Sequence, residues 1–339
     1  MTRPRIVSVM NDDTYGLVMS PEAAAKLASF ADFDRYRGAS NLDEDGLIQI
    51  LRGADAALSS WGVRWTERAI RESDLKIIGH AAGTVKGLPG LVWERGIAVT
   101  HAAPVIAVAV GEMALALTLA CLRHLTEHDG AFKQQGTRGD PLLAPRLLTA
   151  RSLHGARVGI VGASSTGRAF RKLLRAFDGV DVRVADPHLT VDEAGDLDVR
   201  LAPLEELLAE CDVVSLHCPL LPATERLMNA ERLRRLKDGA VFVNTARGRL
   251  VDHQALLAEL RTGRISAGLD VYLETIKDDE IPLSEYRRLK NVVITPGIAG
   301  PVGTITRRMA VFVAEEFERF FAGQPLARPV TADMLATMA

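Results

Sequence analysis

A glycine-rich turn between an apolar run and a helical pattern is the first feature of the sequence that could do chemistry. It reads GASSTG, with Gly162 and Gly167 at the first and last positions of a GxGxxG pattern and Ser164 in place of the middle glycine. The first glycine permits a sharp turn, and the last lets a helix pack close to the preceding strand, so that helix-end amides face a diphosphate. The motif predicts a dinucleotide site in which Ser165 and Thr166 begin the helix and the Ser164 hydroxyl donates to phosphate.

A carboxylate follows at the distance that such a site requires. The run VRVAD ends in Asp186, 24 residues after Gly162, where a carboxylate binds the two hydroxyls of a ribose. The same charge repels a 2′-phosphate, which favours NAD over NADP. The other interpretation is that Asp186 only begins the turn DPH. The glycine turn and the carboxylate together favour cofactor binding.

A second candidate for chemistry is Arg247, which ends the apolar run AVFVNTA beside Gly248. A planar guanidinium can bind a carboxylate through two parallel hydrogen bonds. A surface arginine or one that compensates a helix dipole is the alternative interpretation.

The composition is that of a folded protein with two domains. The chain has 339 residues, of which 47% are hydrophobic and 25% charged, so it is long enough for two cores. Its net charge is −2 and its basic residues are scattered, which argues against a nucleic-acid partner. The three cysteines form no CxxC pair and no ligand spacing with histidine, so we expect reduced thiols and neither disulfides nor a metal site. They are Cys121, Cys211 and Cys218.

One stretch is apolar enough to raise the question of a membrane. It runs from Val105 to Leu122 and contains Glu112. Its length is borderline for a span, and Pro104 precedes it, so we expect a buried helix that becomes amphipathic beyond the core. The first residues contain an apolar run too short for a signal peptide. We therefore expect a cytoplasmic protein with no membrane partner.

Apolar runs alternate with helical patterns in two successive series, which predicts an α/β protein with parallel sheets and two lobes. A polar stretch from about 130 to 145 is predicted to be a surface loop or arm, and a final helix is predicted over about 304–321. The predicted strands of the first series are RIVSV, ADAALSS, LKIIGH and IAVTH, and those of the second are RVGIVG, DVRVAD, CDVVSLH, AVFVNTA, ISAGLDV and NVVITP.

From about residue 153 to residue 300 the order of motifs resembles the NAD-dependent D-2-hydroxyacid dehydrogenase family. After the glycine turn come ADPH, DVVSLHCPLLPATERLMN, GAVFVNTARGRLVD, GLDVY and NVVITPGIAG, and LKIIGHAAGTVKG resembles the family's substrate-lobe loop. The resemblance implies a Rossmann NAD domain inserted into a flavodoxin-like substrate domain. We therefore predict an NAD-binding domain over 104–299 and a substrate-binding domain made of 1–103 and 300–339.

The resemblance also implies roles for individual residues. Arg247 matches the catalytic arginine, and Asp270 in GLDVY matches a residue on the nicotinamide side of the cofactor. His80 stands where relatives carry a carboxylate-binding arginine, which implies substrate binding; a loop histidine bonded to backbone is an equal alternative. The other residues implied to bind cofactor are His217, Pro219, Thr224, Thr245 and Ala246, and Gly83 is implied to border the substrate.

Two departures from the family pattern concern proton transfer. The family's acid/base histidine follows a Thr-Pro pair, but here Thr295 and Pro296 are followed by Gly297. The glutamate that orients that histidine corresponds to Thr275, with Glu274 one residue earlier. General acid–base help worth about 10² to 10⁴ in rate would be absent, and a histidine restored at position 297 should return it.

Candidates to carry the proton instead are His80, His101 and Glu274. The leading hypothesis is an NAD(H)-dependent oxidoreductase that acts on the CH–OH group of a small 2-hydroxy or 2-keto acid, weakened by the missing histidine. The alternative is a catalytically silent NAD(H)-binding regulatory or scaffold protein, and different NAD-dependent chemistry on the same plan stays open. By analogy we expect a homodimer that uses the helix from Pro104 and the polar arm after it.

Overall fold

The computed structural model describes residues 3–135, 149–271, 283–300 and 302–338. The chain folds into two compact units: unit 1 is Met1–Ile106 with Pro301–Ala339, and unit 2 is Ala107–Gly300. The strands are β1 (Arg5–Ser8), β2 (Asp32–Arg35), β3 (Ala56–Ser59), β4 (Ile77–His80), β5 (Ala98–His101), β6 (Arg157–Val161), β7 (Asp181–Ala185), β8 (Arg200–Leu201), β9 (Val213–Leu216), β10 (Val241–Asn244), β11 (Ser266–Leu269) and β12 (Val292–Ile294).

Helices connect most of these strands. They are α1 (Asp12–Val18), α2 (Pro21–Phe30), α3 (Glu44–Leu51), α4 (Glu67–Arg71), α5 (Leu91–Glu94), α6 (Ala103–Leu122), α7 (Leu125–Gln135), α8 (Ser165–Leu174), α9 (Val191–Leu197), α10 (Leu204–Glu210), α11 (Ala230–Arg235), α12 (His253–Arg261), α13 (Leu283–Arg287) and α14 (Gly303–Phe321).

Unit 1 is built on a five-stranded parallel sheet in the order β2-β1-β3-β4-β5. Helix α14 returns from the C-terminal part of the chain and packs on this sheet, as Val313 and Phe317 lie so close to Gly79 of β4 that a side chain there would overlap them. The predicted final helix thus starts one residue earlier than expected and contributes to the core of unit 1 through Met309, Val313 and Phe317.

Unit 2 is built on a seven-stranded parallel sheet in the order β12-β11-β10-β9-β6-β7-β8. Chain order reverses between β6 and β9, and in such sheets ligands bind beyond the carboxyl ends of the strands at this point. The loops that follow β6, β7, β9, β10, β11 and β12 all leave the same edge of the sheet, because every pairing is parallel. We call this edge of unit 2 the cofactor edge.

The region after residue 103 differs in part from its prediction. Helix α6 ends at Leu122, and a new helix begins after His124, whose φ of 47° lies in the left-handed region. Residues 130–135, predicted to be loop, belong to α7, and the remainder of the predicted arm lies outside the described residues. By length and composition α6 is the one helix in the described part of the chain that could cross a membrane, and half of its most apolar window is buried, so it is weak evidence for a span.

Candidate cofactor and substrate site

The glycine turn after β6 requires glycine at both of its ends. Gly162 has a φ of 98°, and a side chain there would come within 2.6 Å of the Cys218 amide nitrogen. A side chain at Gly167 would overlap the Gly162 carbonyl oxygen, so the first turn of α8 approaches the strand end as closely as backbone permits. These two positions therefore provide the sharp turn and the close helix packing that the sequence motif predicts.

The amino end of α8 is open to an anion. The first amides of a helix have no partner inside it, and among the described residues the N-cap Ser164 makes no side-chain capping bond. The Ser164 hydroxyl donates instead to the His217 carbonyl oxygen at 2.7 Å and lies 3.0 Å from Thr166 Oγ1. This hydroxyl is thus bonded within the protein, and its bond to phosphate stays a prediction. The helix amides, from Ser165 onwards, are left for that task.

His217 lies under this turn and is buried, with 2% of its surface exposed. Its Nε2 is 2.9 Å from Ser215 Oγ, its Nδ1 is 3.1 Å from Thr166 Oγ1, and its ring stacks on Phe170. Burial lowers the pKa of His217 to about 3, so the imidazole is neutral at physiological pH. Its contacts agree with a support beneath the cofactor turn rather than a proton carrier.

Asp186, which follows β7, is bonded both to the glycine turn and to the turn that it begins. One carboxylate oxygen accepts a hydrogen bond from the Ala163 amide at 2.7 Å, and the other accepts from the His188 amide at 2.8 Å. The first bond ties Asp186 to the glycine turn, and the second begins the turn DPH. Each carboxylate oxygen retains a further lone pair for a ribose hydroxyl.

The loop after β9 closes on itself through Thr224. The Thr224 hydroxyl donates to the Pro219 carbonyl at 2.6 Å and accepts from the Leu221 amide at 2.8 Å. In this structure Thr224 therefore acts on the shape of the loop, and Pro219 stands partly exposed at its start.

The turn after β10 presents Arg247, and a buried neighbour holds that turn. Asn244 is 1% exposed; its Oδ1 accepts from the Ala246 amide at 3.0 Å and its Nδ2 donates to the Arg247 carbonyl at 2.9 Å. The Arg247 guanidinium is partly buried and donates to the Ala246 carbonyl at 2.7 Å. Sequence reasoning missed Asn244, whose position directly before the turn was the available signal.

Thr245 in the same turn offers an unused polar group. The residue is 5% exposed, and its Oγ1 has no hydrogen-bond partner in the described part of the chain. A buried hydroxyl without a partner costs free energy, and a bound ligand is one of the groups that could satisfy it. Together with the glycine turn, the open amides of α8 and Asp186, this hydroxyl makes the cofactor edge a fit for NAD.

Asp270, which follows β11, fixes the segment in which Gly297 occupies the position of the family's histidine. Asp270 is 2% exposed and accepts hydrogen bonds from Thr295 Oγ1 at 2.5 Å, from the Ile298 amide at 2.9 Å and from the Ala299 amide at 2.8 Å. The carboxylate thus anchors residues 295–299, a role that the sequence prediction did not include.

Gly297 stands in the middle of the anchored segment with a φ of 76°. This is the left-handed region, in which residues other than glycine are strained. Its nearest neighbour for an added side chain is the Asp270 carbonyl oxygen at 3.7 Å, so space is available but the backbone is unfavourable. At position 297 this chain therefore lacks the imidazole of the family's histidine and also has a backbone conformation that strains any residue with a side chain. Glu274 and Thr275 lie outside the described residues.

In unit 1 two histidines lie side by side at the carboxyl ends of β4 and β5. His80 is in register with Ser59 on one side and His101 on the other. His80 Nδ1 is 2.9 Å from Ser59 Oγ, and His101 Nδ1 is 2.9 Å from the Gly83 carbonyl, so His101 carries its hydrogen on Nδ1. His80 is therefore bonded to a side chain, whereas His101 has the backbone bond.

Both imidazoles of this pair are less basic than usual. Burial, and next the neighbouring His101, lower the pKa of His80 to about 4. The pKa of His101 is also lowered, chiefly by burial. At neutral pH both side chains are uncharged, so neither attracts a carboxylate by charge and neither carries the additional proton of an imidazolium.

Comparison with known proteins identifies the family. The family model described as D-isomer specific 2-hydroxyacid dehydrogenase, NAD binding domain, matches residues 115–299. Hydroxypyruvate reductase of Thermotoga maritima is 32% identical over 286 residues, which cover 81% of this chain and 88% of that protein. Glyoxylate reductase of Korarchaeum cryptofilum is 35% identical over 232 residues, 68% of each chain. The crystal structure of a phosphoglycerate oxidoreductase from Rhizobium etli has a TM-score of 0.79 at 25% identity and covers 97% of this chain and 98% of its own.

These matches confirm the predicted fold class, the NAD cofactor and, at the level of the family, the predicted oxidoreductase function. Because the family model covers more than half of the chain, the chain belongs to the family of D-isomer specific 2-hydroxyacid dehydrogenases and contains its NAD-binding domain.

Proposed function

We propose that this chain interconverts a small 2-keto acid and its 2-hydroxy acid with NAD(H), and that the reaction is slow because position 297 carries glycine. Two relatives bear names that refer to the reduction of such acids, hydroxypyruvate and glyoxylate. The observation that carries the proposal is Arg247, which its own turn holds at the cofactor edge, the edge that also bears the glycine turn and Asp186.

Different residues of the cofactor edge would bind different parts of NAD. The amides at the start of α8 would hold the diphosphate, Asp186 the adenosine ribose, and the Thr245 hydroxyl a polar group of the nicotinamide end. Bound in this way, NADH supplies the hydride that reduces the keto carbon. Asp270 and His217 act on the shape of the site by fixing residues 295–299 and the floor of the glycine turn.

Arg247 is proposed to bind the substrate carboxylate and to polarise the adjacent carbonyl. A guanidinium presents two parallel donors to a carboxylate, which fixes the orientation of the keto group as well as its position. Reduction places negative charge on the keto oxygen, and a fixed cation beside it lowers the energy of that charge.

The proton for the keto oxygen is proposed to come from other titratable residues, which donate it less effectively than the family's histidine would. His80 and His101 are the candidates in unit 1, and Glu274 is the third; His80 and Gly83 are also proposed to border the substrate. Because the pKa of each histidine is lowered, both imidazoles are largely uncharged at neutral pH and gain a proton to donate only as the pH falls, so reduction through them should be favoured at acidic pH. We assign residues 1–103 and 300–339 to substrate binding and 104–299 to NAD binding.

The proposal is tested by mixing the protein with NADH and a panel of 2-keto acids and following the loss of NADH absorbance. Arg247→Ala should lower kcat/KM by about 30-fold to 10³-fold, the effect of removing one partner of a desolvated charge pair. Arg249→Ala is the matched control, because Arg249 lies two residues away, is exposed and pairs only with Glu225 among the described residues. NADH binding without turnover on any acid, in the protein and in its Gly297→His variant, would favour the silent regulatory protein instead.

We also propose a cytoplasmic homodimer formed through α6 and α7. Val108 on α6 is 47% exposed, and Leu125 and Phe132 on α7 are 59% and 53% exposed, so these helices present apolar surface that a second copy would bury. Light scattering coupled to gel filtration should give twice the mass of the chain, and Val108→Glu should reduce it to that of one chain.

A further inference from the structure

A cavity of about 710 Å³ lies in unit 2 at the edge of the sheet opposite to the cofactor edge. Its wall includes Val241 and Ser266, the first residues of β10 and β11, and Asn291, which precedes β12. Because the sheet is parallel, the amino ends of these strands and the glycine turn are on opposite edges. The cavity is therefore separate from the proposed cofactor site, and its size is that of a small-molecule site.

The charged residues that line this cavity are all basic. Its described lining contains no aspartate or glutamate. A cavity bordered by one sign of charge concentrates ligands of the opposite sign. The cationic lining residues are Arg151, Arg261, Arg264, Arg288 and Lys290.

Two of these cations serve the fold. Arg264 is bound to Glu259 at 2.7 Å and donates to the Leu233 carbonyl, so it is part of the wall. Arg151 donates to the Gly239 carbonyl and lies 3.4 Å from Asp212. Neither guanidinium is free to turn fully toward a ligand.

The other three cations exceed the negative charge beside them. Arg261 and Arg288 share one carboxylate, Glu285, at 2.5 and 3.4 Å, and the Arg288 side chain is 76% exposed. Lys290 is exposed and has no ion-pair partner in the described part of the chain. Three cations against one carboxylate leave an excess of positive charge on this part of the lining.

We infer that this cavity is a binding site for a small phosphate-bearing anion. A guanidinium contacts phosphate oxygens through two parallel hydrogen bonds, and an ammonium adds a point charge, which is the combination that Arg288 and Lys290 offer. The inference does not depend on the proposed dehydrogenase activity. The site belongs to the amino ends of β10 and β11, whose opposite ends lead into Arg247 and Asp270.

The test measures the binding of inorganic pyrophosphate by calorimetry with the protein saturated with NAD, so that the amides of α8 are already occupied. The double variant Arg288→Ala/Lys290→Ala should bind pyrophosphate at least about tenfold more weakly, and the affinity of the parent protein should fall as salt rises. Lys172→Ala is the matched control, because Lys172 is an exposed lysine of unit 2 on α8, remote in sequence from the cavity. Equal affinity in the double variant, or no pyrophosphate binding in the presence of saturating NAD, would overturn the inference.

Discussion

Replacement of Gly297 by histidine should change stability and turnover in opposite directions. The left-handed conformation at Gly297 costs a residue with a side chain about 1–2 kcal/mol. The turn has three hydrogen bonds to the buried Asp270 carboxylate, and bonds to a charged group contribute about 1.5–3 kcal/mol each. The hydrogen bonds exceed the strain, so the turn should keep its conformation and hold the new imidazole on it.

The expected stability loss is measurable by chemical or thermal unfolding. A cost of about 1–2 kcal/mol corresponds to a fall in Tm of about 2–8 °C for a domain of this size. Gly297→Ala should lose a similar amount, since it has the same backbone strain. Gly297→Asn should lose less, because asparagine tolerates the left-handed region better than most residues.

The expected gain in turnover separates histidine from the other two substitutions. If the substrate pocket of the family is retained, an acid at this position should raise kcat for a 2-keto acid by about 10² to 10⁴, measured as NADH consumption. Gly297→Ala and Gly297→Asn should give no such gain. Unchanged stability in the histidine and alanine variants would refute the strain argument. A histidine variant that binds NADH but turns over no faster than the alanine variant would refute the inherited pocket.

Three other substitutions probe neighbouring contacts. Asp270→Asn replaces one of the two accepting carboxylate oxygens by an NH₂ group, which cannot accept a hydrogen bond, so the free energy of unfolding in urea should fall by about 2–3 kcal/mol. Thr245→Val removes a hydroxyl that has no partner among the described residues, so the free energy of unfolding of the ligand-free protein should be unchanged or slightly higher. The affinity for NADH, measured by calorimetry, should fall about tenfold. His80 has a folded pKa of about 4 and an unfolded value near 6.5, so the unfolded state binds the proton first and stability should fall by up to about 3 kcal/mol as the pH drops from 6.5 to 4. The His80→Gln variant should lack this part of the pH dependence, and an unaltered pH profile would contradict the burial of the imidazole.

Sequence patterns predicted every central strand of each sheet and missed two of the four edge strands. The strands β2 and β8 were not predicted, and both lie at the edge of their sheets. In β2, Asp32 and Asp34 alternate with partly buried residues, and β8 has only two residues, so neither has the apolar run by which buried parallel strands are recognised. The edge strands β5 and β12 do have apolar runs and were predicted, so the missing apolar run, rather than the edge position, explains why β2 and β8 were missed.

The sequence motif also could not predict which group accepts each side-chain hydrogen bond. The glycines of the turn were predictable because their requirement is local: a positive φ at Gly162 and a close approach at Gly167. The acceptor for Ser164 is the carbonyl of His217, more than fifty residues further along the chain. Likewise, Asp270 obtains its role from residues 295–299, which the pairing of β11 with β12 brings to it.

The geometry of the cofactor edge favours a weakened dehydrogenase over a protein that has lost its reaction entirely. Arg247 is held by Asn244, whose side chain contacts only the Arg247 turn in the hydrogen bonds of the described residues. The turn at Gly297 is held by Asp270. In the described part of the chain, the recorded hydrogen bond between Asn244 and Asp270 is a backbone bond, from the Asp270 amide to the Asn244 carbonyl. A change at position 297 can therefore remove the proton carrier without loosening the arginine. A protein that still binds a 2-keto acid needs the backbone turn that carries Arg247 to be held in place, as the buried Asn244 amide holds it, whereas a protein released from selection for catalysis does not.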